Sequence, residues 1–97
     1  MFGGVRFVQN LKHLRQYVNE FLCQHNQLEV DAFPLTEKVL VRGGQPCGIH
    51  FCLHGPRAVK YSAIWEQDRN TVLFYDAAGQ RFHRAPWAPN TADLSAA

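Results

Sequence analysis

Two cysteines and two histidines fall within eight consecutive positions, Cys47 to His54, in the stretch PCGIHFCLHGPR. Such side chains bind metals, exchange electrons, or act together as nucleophile and base, and the spacing decides which of these is open. The stretch alternates as a β-strand. On a strand Cys47, Ile49, Phe51 and Leu53 point to one face, and Gly48, His50, Cys52 and His54 to the other. A row of His50, Cys52 and His54 then has its neighbours about 6.6 Å apart, with the two histidines about 13 Å apart. A zinc site takes three or four ligands at about 2.0–2.3 Å. One strand therefore offers two comfortable ligands, Cys47 lies on the wrong face, and His83 is the one evident third donor. No Cys-x-x-Cys pair occurs. His50, Cys52 and His54 are weak metal candidates, and neither a metal nor another cofactor is expected.

Thiol catalysis fares no better. Cys52 has a histidine on either side along its row, which supplies a base. No carboxylate follows to orient either imidazole, and no helix begins nearby to stabilise an oxyanion. Glu66 and Asp68 sit in a turn, where charge serves solubility. The RGGQP stretch, residues 42–46, lacks the Gly-Lys-Ser/Thr ending and the following helix of a phosphate-binding loop. An enzyme is not expected.

Composition sets the wider limits. The 97 residues suit one domain, and 46% hydrophobic with 19% charged residues is ordinary globular material. No apolar run approaches the length that spans a bilayer, and the N-terminus carries no continuous apolar block ending in a cleavage site. With an odd cysteine count, this predicts a cytoplasmic protein with free thiols. The net charge is +2. Residues 1–41 balance to zero, whereas residues 42–84 carry Arg42, Arg57, Lys60, Arg69, Arg81 and Arg84 against Glu66, Asp68 and Asp76. That excess, with Tyr75, Phe82 or Trp87 to stack on bases, makes nucleic-acid binding an alternative function. The small net charge keeps it second, because non-specific affinity follows the number of phosphates neutralised.

The elements that must position these residues begin with a helix over residues 5–25. Phe7, Val8, Leu11, Leu14, Val18, Phe21 and Leu22 recur at the 3–4 spacing of one buried stripe, and Asn26 suits a left-handed cap. The period then changes to two. Strands are expected at Glu37–Arg42, Gly48–His54, Ala58–Glu66, Thr71–Asp76 and Gln80–Arg84, with Gly79 at the left-handed position of the last hairpin. Pro34 marks an irregular or edge segment before the first strand. Short turns make successive strands antiparallel neighbours. The fold class is α+β: a two-layer sandwich of one N-terminal amphipathic helix on a 4–5-stranded antiparallel meander. Residues 1–86 form the domain and residues 87–97 a flexible tail. In element order alone this resembles cystatin-like domains and, more distantly, double-stranded RNA-binding domains. The chain has neither the Gln-x-Val-x-Gly loop of the former nor the Lys-rich second helix of the latter.

The alternation also divides the sheet into faces. Opposite the helix it places Leu40, Cys52, Ile64, Leu73 and Tyr75 as an apolar patch, with His50, His54, Lys60, Ser62 and His83 or Phe82 around it. An apolar patch rimmed by polar groups on a soluble protein usually marks an interface. The expected function is a protein-interaction or self-associating module, a homodimer or a small protein partner docking on this face, with no membrane role.

Overall fold

The computed structural model describes residues 11–87. One helix, α1 (Leu11–His25), precedes five strands, β1 (Leu35–Arg42), β2 (Gln45–His54), β3 (Lys60–Glu66), β4 (Thr71–Tyr75) and β5 (Arg81–Pro86). The strands form one antiparallel sheet in the order β1-β2-β3-β4-β5, and α1 lies on one face of it. This is the α+β meander expected from the change of period. Residues 5–10 of the expected helix, and residues 88–97 of the expected tail, lie outside the described residues.

The buried stripe of α1 is Leu14, Val18 and Leu22, with Cys23 beside it, all without solvent contact. Its C-terminus closes one residue later than Asn26 suggested. Gln27 takes the left-handed conformation at φ 57°, its amide donates to the Gln24 carbonyl, and the Leu28 amide donates to the Cys23 carbonyl. That pair of bonds satisfies helix-end carbonyls that would otherwise be orphaned. Asn26 contributes through its side chain, whose Nδ2 donates to the Leu22 carbonyl at 2.8 Å.

Each hairpin has its own turn chemistry. Gly43 and Gly44, with φ of 60° and 78°, connect β1 to β2. Both central residues of this two-residue turn need positive φ, which glycine adopts without strain. The turn between β2 and β3 has the same shape but different residues. The Val59 amide donates to the Pro56 carbonyl, and Arg57 and Ala58 stand at φ 61° and 63°. Before β4, Asn70 takes φ 49°, and its Oδ1 accepts the Trp65 indole N–H at 2.8 Å. Before β5, Asp76 accepts from the amides of Ala78 and Gln80, and Gly79 sits at φ 83°, as the sequence predicts.

The core joins the α1 stripe to Ile49, Phe51 and Leu53 of β2, Ala63 and Trp65 of β3, and Val72 and Phe74 of β4. Cys47, expected to face this core, is only half-buried and lies outside it. It is the unpaired residue where the β1–β2 register shifts: Leu40 pairs with Gly48, but Val41 pairs with Pro46. Three ring contacts fasten α1 to β5 and to Trp87 just after it. Tyr17 stacks on Trp87 (5.4 Å between centroids), Phe21 on His83 (4.7 Å) and His25 on Phe82 (4.0 Å). Tyr17, Phe21 and His25 are four residues apart, so one helix edge presents all three rings.

Candidate functional site: the sheet face opposite the helix

The cross-strand register builds the face away from α1 in rows. One row runs Lys38, His50, Ile64, Leu73, Arg84, and the next runs Thr36, Cys52, Ser62, Tyr75, Arg81. Leu40, Gly48, Glu66 and Thr71 form a third, and His54 pairs with Lys60 at the far end of β2 and β3. Directly opposed side chains in such rows stand about 4.5–5.5 Å apart, close enough to pack. The sequence-based patch is therefore contiguous. Ile64 pairs with Leu73 along one row, and Cys52 lies two pairings from Tyr75 along the other. Leu40 lies one row away from Ile64. Leu40, Cys52, Ile64 and Tyr75 are half-buried, and Leu73 is only 7% exposed although no described element lies over it. Its cross-strand partners on either side are Ile64 and Arg84. The face is thus an aliphatic floor with one aromatic ring, bounded by cations.

Those cations are Lys38 at the β1 end, Lys60 at one strand end, and Arg81 and Arg84 on β5. Glu66 is the carboxylate paired into the same face, and three of the six basic residues of 42–84, Lys60, Arg81 and Arg84, lie on it. At the Glu66 end the face opens into a groove of about 570 Å³ lined by Leu40, Ile64, Glu66 and the Arg42–Asp68 ion pair. A second hollow, about 430 Å³, lies on the other side of the molecule between α1 and the chain entering β1, against Arg15, Asn19, Asp31 and Phe33.

The histidines separate. The His54 Nε2 and the Thr36 hydroxyl are hydrogen-bonded at 3.0 Å, and His50 lies between Lys38 and Ile64. His83 is on the other side of the sheet, correcting its expected place on this face. The β4–β5 register shifts between Phe74 and Tyr75, so Phe74 pairs with His83 while Tyr75 pairs with Arg81. That bulge turns both Phe82 and His83 toward α1, where they stack on His25 and Phe21. The third metal donor is thereby removed. Among the described residues no group of three or more His, Cys, Asp and Glu side chains could hold a metal ion. Trp87, expected at the start of the tail and as a stacking ring for bases, is packed on Tyr17, and its amide donates to the Asn70 carbonyl. Of the three proposed base-stacking rings, Tyr75 alone remains on the face.

All three cysteines are free thiols. Cys23 is buried at the end of α1, near Asp31. Burial pushes its thiol pKa up, a hydrogen bond from the Asp31 backbone pulls it partly back, and the Asp31 charge raises it again. It is held as a neutral thiol, not as a nucleophile. Among the described residues no helix is long and apolar enough to cross a membrane. No protein-family model, curated protein or solved structure gives a significant match to this chain.

Proposed function

We propose that this chain is a binding module whose working surface is the sheet face opposite α1, and that its partner is a protein segment with apolar side chains at its centre and carboxylates at its edge. The observation behind this reading is the row Lys38–His50–Ile64–Leu73–Arg84, which puts aliphatic side chains in the middle of the sheet and a cation at each end. Aliphatic surface gains by meeting aliphatic surface, and the flanking cations select acidic neighbours. A second copy would add four more cations to the seam and one more carboxylate, Glu66, so the charge of this face is better matched by an acidic partner than by itself. A nucleic acid supplies the charge, but its bases want stacking platforms, and the face offers Tyr75 alone.

The test uses a fluorescently labelled peptide of alternating Glu and Leu, and a random single-stranded oligonucleotide, titrated against the protein at low salt. Binding of the peptide, lost in Ile64→Lys and in the double variant Lys60→Glu/Arg84→Glu, is the expected result. Tighter binding of the oligonucleotide would move the function to nucleic acid. Failure of the wild-type protein to bind the peptide, with amide shifts absent at Ile64, Leu73 and Tyr75, would sink the reading.

A further inference from the structure

The most exposed apolar side chains among the described residues lie at the edge of the sheet, outside the Ile64–Leu73 row. They are Val39, 45% exposed, and Val41, 62% exposed, both on β1. β1 is an edge strand, paired with β2 on one side and with no described strand on the other. The opposite edge, β5, carries Arg81, Arg84 and Pro86, the charges and proline by which proteins blunt a free sheet edge. β1 also carries charges, Glu37, Lys38 and Arg42, but it has no proline, is eight residues long, and beyond Glu37, which Arg15 of α1 holds at 2.6 Å, shows two valines to solvent.

The hydrogen-bond alternation tells which groups of β1 are free. The His54 amide donates to the Pro34 carbonyl, while on the other side of β2 the Gly55 amide donates to the Val59 carbonyl. Even-numbered residues of β2 therefore bond to β1, and odd-numbered ones to β3. On β1 the even positions Thr36, Lys38 and Leu40 point their amides inward to β2. Glu37, Val39 and Val41 point theirs outward. An antiparallel partner strand must set outward residues against outward residues, so a two-fold axis relating two β1 strands can pass only through a residue, never between residues.

Charge then chooses the residue. An axis at Glu37 or at Lys38 sets that charged side chain against its own copy. An axis at Leu40 sets Lys38 against Arg42. An axis at Val41 runs off the strand, setting Val39 against the Gly43–Gly44 turn, and an axis at Leu35 or Thr36 runs off its other end, onto Pro34, which has no amide proton to donate. An axis at Val39 leaves no like charges opposed: Lys38 meets Leu40, Glu37 meets Val41, and Thr36 meets Arg42. The same register brings Val39 against Val39 of the second copy and places each Val41 diagonally beside them, joining four exposed valines into one patch.

We infer that β1 pairs with β1 of a second copy of this chain, antiparallel and centred on Val39, joining two sheets into one with both helices on the same side. About six backbone hydrogen bonds close across the seam, from the pairs at Glu37, Val39 and Val41. The seam borders the sheet face opposite α1 through Lys38 and Leu40 but does not use Ile64, Leu73 or Tyr75, so either surface can fail without the other.

Sedimentation velocity on the full chain, from low to high micromolar concentration, is expected to show a species of twice 11.1 kDa. Val39→Lys, at a position open to solvent in the single copy, is expected to weaken it by at least about tenfold, each decade being about 1.4 kcal/mol. Ile64→Lys should leave it intact. Hydrogen exchange gives a second readout on the unaltered protein. Amides of Glu37, Val39 and Val41 become protected as concentration rises, while those of Lys38 and Leu40 are protected throughout. A monomer at every concentration overturns the inference. So does a dimer lost in Ile64→Lys but kept in Val39→Lys, or exchange at the three odd-numbered amides that ignores concentration.

Discussion

At the scale of single residues, the fold holds one turn in an unfavourable conformation. Arg57 and Ala58 occupy the left-handed region at φ 61° and 63°, in a turn of the same type that Gly43 and Gly44 make without strain. The left-handed conformation disfavours a residue bearing a Cβ by about 1–2 kcal/mol. Both side chains are exposed, so neither is repaid by packing. Arg57→Asn/Ala58→Gly, the residue pair best suited to this turn, is expected to raise stability by about 1–2 kcal/mol in urea denaturation with an unchanged slope. Two acids that packing withdraws from water, Cys23 fully and Tyr17 in part, weaken the fold at high pH. Burial raises both pKa values, from 9.0 for the thiol and 10.0 for the phenol. The folded chain therefore holds these protons more tightly than the unfolded one. Their stabilising contribution is complete below pH 9.0 and is lost as the pH climbs through the raised folded values. Cys23→Ser is expected to remove part of that alkaline loss in thermal melts. In native protein at pH 8, iodoacetamide should label Cys47 and Cys52 and spare Cys23 until the chain unfolds.

At the scale of elements, the sequence reveals whatever obeys one period for its whole length. β2 alternates without interruption from Gly48 to His54, and its faces fall as the alternation dictates. β3 and β4 follow, so the period of two is enough to set Ile64, Leu73 and Tyr75 on the same face as Cys52. What alternation cannot carry is a register shift. The bulge opposite Phe74 and Tyr75 moves Phe82 and His83 to the helix side, and no residue type announces it. The bulge at Cys47 likewise displaces a residue that the pattern assigns to the core. Trp87 is hidden by its neighbours, since Pro86 and Pro89 read as the start of a tail. The edge role of β1 is partly legible from Pro34, but the exposure of Val39 and Val41 depends on where α1 stops covering the sheet. That boundary belongs to packing, not to pattern. The ring contacts between α1 and β5 give a test at this scale. Phe21 lies 4.2 Å from Phe74 and 4.7 Å from His83 between ring centroids. Phe21→Ala is expected to destabilise the protein by about 2–3 kcal/mol, less than a fully buried phenylalanine because the ring is partly exposed, measured by chemical denaturation.

For the whole molecule, the strand pairings are all between sequence neighbours, whereas the stacks of Tyr17 on Trp87 and His25 on Phe82 join the two ends of the described chain. Hairpins closed by short turns form within microseconds, because little chain entropy opposes them. The helix must wait for β4 and β5 before its ring edge has anything to stack on. Docking α1 is thus expected to come late in folding, so that Phe21→Ala speeds unfolding and leaves refolding nearly unchanged. The opposite split, slower refolding at constant unfolding, would put the helix in the folding nucleus. The same rings carry a consequence for biosynthesis. A ribosome releases α1 before the strands that cover it and Trp87 after them, so until those strands emerge the nascent helix displays Tyr17, Phe21 and the Leu14–Val18–Leu22 stripe with no sheet against them. A chaperone that recognises short amphipathic helices has its window in that interval, and the arrival of Trp87 closes it.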